Sequence, residues 1–347
     1  MTLPIRECVR QTPGYVPGEQ PQTGGYTKLN TNENPYPPPP AILAQLESEL
    51  PKLRLYPDPV SAKLRQAAAK VFGISPAQII AGNGSDDILN IALRTFVNPG
   101  ESVAFLDLTY SLYETLARVH GAVTIEIPTD ERFALTSPID CPEAKLLFLA
   151  SPNPPVGQHL NREYLEKTCA IASGIVIIDE AYVDFSDSHH LDFVEKYDNV
   201  IISRTMSKSY SLAGMRVGFG IGSLPIIEQM NKVRDSYNLD RLAQSLATAA
   251  LECHGEFEEI WQNIRQTRER LIHSLRGLDF FVFDSDTNFV LASPHWLPAS
   301  ELYNKLKEQQ ILVRYFSHPR IANYVRISVG TDTEIDRLLE AIADIKK

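Results

Sequence analysis

The run Ile175-Val176-Ile177-Ile178 constrains the fold more than any other stretch of the chain. It is apolar at odd and even positions alike, so a strand built from it is buried on both faces, as in a parallel sheet covered by helices. The run stops abruptly at Asp179, Glu180, Ala181 and Tyr182. A carboxylate is thereby delivered to the carboxyl edge of such a sheet, where open α/β proteins meet their ligands. From this stretch alone, Asp179 reads equally well as an ordinary turn residue.

The surrounding chain repeats the alternation. Period and punctuation predict strands at 78–81, 102–106, 122–127, 145–150 and 200–202, with helices at 41–50, 61–72, from 85 onward, 111–120 and 162–172. Beyond Pro225 the pattern changes to long helices at 226–236, 241–253 and 256–276, the last with Ile260, Trp261, Ile264, Leu271 and Ile272 on one face. Strands at 280–283, 288–292, 312–315 and 324–328 follow, with helices at 299–309 and 333–345. The expected class is α/β: a large domain (41–250) with a mainly parallel sheet flanked by helices, and a smaller α+β domain (251–347). Residues 1–40 form an arm whose NTNENPYPPPP run holds too much proline for a helix.

Composition narrows the function classes. With 347 residues, 44% hydrophobic and 22% charged, the chain can build a sizeable core. A net charge of −10 without a dense basic run argues against nucleic acid, and no apolar run approaches membrane-spanning length. The N-terminal MTLPIRECVR lacks the apolar centre of a signal peptide, and Cys8, Cys141, Cys169 and Cys253 are widely spaced, which suits a reduced, cytoplasmic chain. His189 and His190 have no third ligand at metal spacing, so they read as surface histidines and no metal is expected.

Two motifs carry chemistry. In SRTMSKSYSLAGMRVGFG, Lys208 follows the apolar strand 200–202, flanked by the hydroxyls of Thr205 and Ser207, with the planar guanidinium of Arg216 eight residues on. An amine, hydroxyls and a fork for phosphate oxygens suit pyridoxal phosphate held as a Schiff base. A solvated lysine in a Ser/Gly loop fits that stretch equally well. In GNGSDD, Gly82 and Gly84 let backbone approach a ligand, Ser85 is placed as an N-cap, and Asp86 lies at a helix start suited to an anion. Glycine turns before helices are common, and Asp86 with Asp87 is also what a favourable first turn looks like. Tyr56 sits in the stiff turn LYPDP, and Tyr110 follows strand 102–106 at the same edge as Asp179.

Taken in order, LNTNENP, LYPDP, GNGSDD, LTY, SPNPPVG, IIDEAYVDF, RTMSKSYSLAGMRVGF and YVRISVG resemble the fold-type I aminotransferases dependent on pyridoxal phosphate, and within them the histidinol-phosphate aminotransferase branch. The likeness spans nearly the whole chain. It implies that Lys208 bonds the cofactor and moves the proton, that Asp179 faces the pyridine nitrogen, that Tyr182 meets the phenolic oxygen and that Tyr110 stacks on the ring. The cofactor phosphate would fall to Ser85, Asp86, Thr205, Ser207 and Arg216, with Tyr56 reaching in from a second subunit of a homodimer. Arg326 matches the arginine that binds the substrate's acid group, here a phosphate ester; Arg314 matches a second one, and Tyr15 a tyrosine that closes the site. The reaction implied exchanges L-histidinol phosphate and 2-oxoglutarate for imidazole-acetol phosphate and L-glutamate in histidine biosynthesis. One motif departs from the family's PNNPTG: Pro154 stands where an asparagine would touch the ring oxygen, and whether Asn153 replaces it is open. A threonine-phosphate decarboxylase or aromatic aminotransferase of the same fold would share Lys208, Asp179 and Arg216, and a non-catalytic binder is the alternative outside the enzymes.

Overall fold

The computed structural model describes residues 3–347. Seven strands form the main sheet: β1 (Ile79–Asn83), β2 (Ser102–Leu106), β3 (Val123–Ile127), β4 (Ala144–Ala150), β5 (Ile175–Asp179), β6 (Val200–Thr205) and β7 (Val217–Gly222). Their order is β1-β7-β6-β5-β4-β2-β3, and only β7 runs against the rest. Because β7 is reversed, its first residues lie at the edge where its parallel neighbours end. Register makes that edge level: Asp179 pairs with Ala150 on one side and Ser203 on the other.

Strand β7 is absent from the pattern reading, because Gly218, Gly220 and Gly222 interrupt its apolar signature. Packing explains the first of them. A Cβ on Gly218 would lie 2.3 Å from the backbone nitrogen of Ser85, so only glycine lets the helix Ser85–Phe96 begin directly over the sheet.

A second, antiparallel sheet takes β8 (Phe280–Val282), β9 (Phe289–Pro294), β10 (Arg314–Tyr315) and β11 (Val325–Ser328) in the order β10-β11-β9-β8. The long helix His254–Gly277 serves both cores: Phe257, Trp261 and Ile264 pack with the main sheet, and Leu271, Ile272 and Leu275 pack with the second. The final helix, Asp332–Lys346, starts in a capping box in which Thr331 and Glu334 satisfy each other's backbone amides. None of the described helices is long and apolar enough to cross a membrane.

The arm departs from a simple extended run. It holds a short helix at Glu7–Gln11, and Thr27–Lys28 pairs in parallel with Ile311–Leu312. The helix expected at 41–50 is broken into Pro40–Leu43 and Gln45–Glu49, followed by a 3-10 turn at Leu50–Lys52, where Pro51 ends the regular pattern. Only Ile42 of its apolar residues is fully buried; Leu43 and Leu50 face solvent. His189 is exposed as expected, but His190 is buried. Its Nδ1 lies 3.0 Å from Glu180 Oε1, and Arg204 Nε donates to Glu180 Oε2 at 2.7 Å, so a charged network sits beneath the sheet edge.

Candidate active site

The level edge opens into a cleft of about 610 Å³. Lys208 reaches it from the turn after β6, and its Nζ donates to the carbonyl of Thr31 at 3.0 Å. Burial, then the nearby Arg326 cation, pulls its pKa down to about 8, so a usable fraction is neutral amine near physiological pH.

Asp179, at the end of β5, is 4% exposed. Tyr113 Oη donates to its Oδ2 at 2.8 Å, while Oδ1 is buried without a partner among the described residues. Burial pushes its pKa up to about 6, against the hydrogen bond from Tyr113. A buried carboxylate oxygen lacking a donor suits a charged N–H arriving with a ligand. Tyr182 lies nearby, with its ring 5.9 Å from Lys208 Nζ, and its hydroxyl accepts from Asn32 Nδ2 at 3.0 Å. Tyr110 stands edge-on to both Tyr113 and Tyr15, at 5.6 and 6.1 Å between ring centres.

The cleft has two positive poles. At the first, the helix Ser85–Phe96 begins after Gly84 (φ +84°), and no side chain caps its first amides. Gly84 rather than Ser85 is therefore the N-cap, and Ser85 is the first helical residue. Arg216 Nη1 donates to Ser207 Oγ at 3.0 Å, Thr205 Oγ1 to Ser207 Oγ at 3.1 Å, and Arg216 Nη2 to Asp86 Oδ2 at 3.3 Å. Uncapped amides, two hydroxyls and a guanidinium form a cradle for a phosphate.

At the second pole Arg314 and Arg326 sit directly opposite each other on β10 and β11. Like charges so paired repel. Arg326 Nη2 donates to Asn30 O at 3.0 Å, but its buried Nε has no partner among the described residues, and burial lowers its pKa. An anion between the two would relieve both penalties.

Residues 25–342 match the model of the family "Aminotransferase class I and II". The chain belongs to that family. It is 75% identical over 99% of both chains to histidinol-phosphate aminotransferase of Microcystis aeruginosa, and 66% identical to that of Synechocystis over 99% of this chain and 98% of that protein. Among solved structures, histidinol-phosphate aminotransferase of Sinorhizobium meliloti in complex with pyridoxal-5'-phosphate is 26% identical, with a TM-score of 0.83 over 92% of this chain and 91% of that one.

In this aminotransferase the cleft gathers Lys208, Asp179, Tyr182, Tyr110, Tyr15 and both arginines, together with the cradle residues Ser85, Asp86, Thr205, Ser207 and Arg216. Tyr56 is not among the residues lining it. It is 77% exposed and stacks flat on Tyr237 at 4.5 Å. Asn153 is turned away, since its Oδ1 accepts from Thr109 at 2.6 Å and its Nδ2 donates to Leu108 O at 2.9 Å.

Four contributors escape the motif reading. Asn30, Thr31 and Asn32 hold Arg326, Lys208 and Tyr182 in turn, and Tyr113 holds Asp179. The polar run LNTNENP is visible as a motif, but nothing local says what it touches. Tyr113 looks like a core aromatic of its helix, which it also is, stacked on Phe148 at 4.9 Å.

Proposed function

We propose that this aminotransferase uses pyridoxal phosphate to exchange the amino group of L-histidinol phosphate with 2-oxoglutarate, yielding imidazole-acetol phosphate and L-glutamate. The observation that carries it is the half-buried Arg326, whose buried Nε has no partner among the described residues, set beside Arg314 in the same cleft as Lys208 and Asp179. A paired guanidinium site at that place suits a dianionic phosphate ester better than a lone arginine does.

The residues fit the cofactor on structural grounds: Asp179 Oδ1 is an orphaned acceptor, and the first amides of the helix Ser85–Phe96 are uncapped. When bound, pyridoxal phosphate supplies an aldehyde that takes up the amino group and a ring that draws electrons from the substrate's Cα. Asp179 would keep the ring nitrogen protonated through Oδ1. Tyr110 would cover the ring face, and Tyr182 would face the phenolic oxygen without help from Pro154. Ser85, Asp86, Thr205, Ser207 and Arg216 would hold the phosphate. Lys208, with its amine partly neutral near pH 8, would take the proton from Cα and return it as general base and acid. Arg314 and Arg326 would grip the substrate phosphate. Arg314 also donates to the carbonyls of Val16 and Pro17, at 3.1 and 3.2 Å, which holds Tyr15 over the cleft.

The reading includes a homodimer with shared sites, in which Tyr56 reaches the partner's cofactor phosphate. Its support is the apolar surface at Leu43, Leu50, Leu53, Leu55 and Tyr56, all exposed in the single chain. It also includes a cytoplasmic location and the division into an arm (1–40), a large domain (41–250) and a small domain (251–347).

The test is incubation with histidinol phosphate and 2-oxoglutarate, with glutamate as readout. Glutamate should form, and far more slowly from unphosphorylated histidinol. Equal rates from aromatic amino acids, or carbon dioxide released from threonine phosphate, would overturn the assignment.

A further inference from the structure

Asn32 is almost wholly buried, and each of its polar groups has one partner. Its backbone N–H donates to Ser328 Oγ at 2.9 Å, and its carbonyl accepts from Asn288 Nδ2 at 3.0 Å. The Ser328 hydroxyl, having received that N–H, donates its own proton to Asn32 Oδ1 at 3.0 Å. The oxygen faces Ser328, and the Nδ2–H faces the Tyr182 hydroxyl at 3.0 Å. The backbone here is left-handed (φ +57°), a conformation asparagine tolerates better than most residues.

A phenol oxygen that accepts from one side directs its own proton elsewhere. Asn32 blocks the arm side of Tyr182, and Phe289 meets its ring edge to face at 5.0 Å, so the open direction for the proton is the cleft. Neither Pro154, which has no polar side chain, nor Asn153, which is engaged with Thr109 and Leu108, duplicates this donor.

We propose that Asn32 is a positioning residue that turns Tyr182 into a fixed hydrogen-bond donor toward the bound cofactor. The role rests on the pyridoxal phosphate reading above. A donor at the ring's phenolic oxygen stabilises its deprotonated form, and so lowers the pH at which the holoenzyme's visible absorption band changes.

The experiment is a visible-absorption pH titration of four holoenzymes: wild type, Asn32→Gly, Tyr182→Phe and the double variant. Glycine accepts the left-handed backbone, so Asn32→Gly removes the amide with little strain. It should raise the midpoint by ~0.5–1 unit in the wild-type background and leave it unmoved in Tyr182→Phe. A merely structural role would shift both backgrounds alike or neither, and either result overturns the proposal. If Asn32→Gly does not fold, Asn32→Asp serves in its place. Its carboxylate accepts the Tyr182 proton and so raises the midpoint further, and this excess should shrink in Tyr182→Phe; an undiminished excess overturns the proposal. A chain that takes up no pyridoxal phosphate at all overturns the cofactor reading and this role together.

Discussion

The two positive poles of the cleft are built from different materials. The cradle at Ser85 and Arg216 rests on backbone amides, hydroxyls and glycines at the ends of the fully buried strands β6 and β7 and the helix that starts over them. The pole at Arg314 and Arg326 rests on two side-chain charges on short strands, each steadied by carbonyls of the arm. A rigid pole suits a ligand that stays, and a pole of long side chains tied to an arm suits one that comes and goes.

The largest effect lies between the poles, where neither can compensate. Lys208→Ala removes the proposed proton carrier, and turnover should fall roughly 10³- to 10⁴-fold. Borohydride reduction of the holoenzyme followed by peptide mapping should place the cofactor on Lys208 in the wild type. An adduct on another lysine would remove the centre of the comparison.

The rigid pole breaks through Gly218. A Cβ there meets backbone atoms of Gly84 and Ser85 at 2.4 and 2.3 Å, and backbone cannot rotate away as a side chain can. Gly218→Ala should displace the helix start, costing about 1–3 kcal/mol of stability and weakening pyridoxal phosphate roughly 10- to 100-fold by equilibrium dialysis. Gly214, where an added Cβ would have nothing within 4 Å, is the control, and Gly214→Ala should bind normally. Equal behaviour of the two would show that the cradle yields.

These poles also differ in how far the sequence exposes them. Lys208, Arg216, Ser85 and Asp179 sit in compact stretches where strand, turn and chemistry are neighbours in the chain, so the local pattern singles them out, and the joint order of the motifs decides between a site and ordinary loops. Strand β7 stays hidden because the glycines that let the helix approach erase its apolar signature. The arm contacts are illegible for another reason. Asn32 and Tyr182 are 150 residues apart, and Tyr113 and Asp179 are 66 apart, so each pair exists only after the sheets have assembled. His190 is misplaced on the surface for the same cause, since its partner Glu180 is defined by the fold of the intervening loop.

The arginine pole should be softer and more selective. Arg314→Ala should delete the proposed charge-assisted contact with the substrate phosphate, worth about 2–3 kcal/mol, or roughly 30- to 150-fold in kcat/KM for histidinol phosphate. Because Arg314 also holds Val16 and Pro17, unphosphorylated histidinol should lose a few-fold as Tyr15 loosens. Arg314→Lys should recover little, since an ammonium lacks the fork. Equal losses for both donors would make Arg314 a brace for the arm and nothing more.

The last effect, which leaves turnover aside, asks whether both halves of the cleft hold a charge that the apoprotein disfavours. Arg326 is such a cation, with its pKa lowered by burial, and Asp179 is the matching anion, with its pKa raised to about 6 from the usual 3.8. A carboxyl whose folded pKa is raised contributes its full stability below its unfolded value and loses it as pH climbs through the folded one. The apoprotein should therefore lose stability between pH ~4 and ~6 and stay at the lower level above, by up to about 3 kcal/mol. Asp179→Asn keeps the shape and an acceptor for Tyr113 but cannot ionise, so its apoprotein should be more stable than wild type at pH ~8 and equal to it near pH ~4. Adding pyridoxal phosphate should reverse the order, because only the carboxylate gains a cationic partner. Denaturant melts of apo and holo forms at the two pH values decide it. An apo difference that does not change with pH would mean that Asp179 ionises in the folded apoprotein as readily as in the unfolded chain, leaving Arg326 as the one group whose charge awaits a ligand.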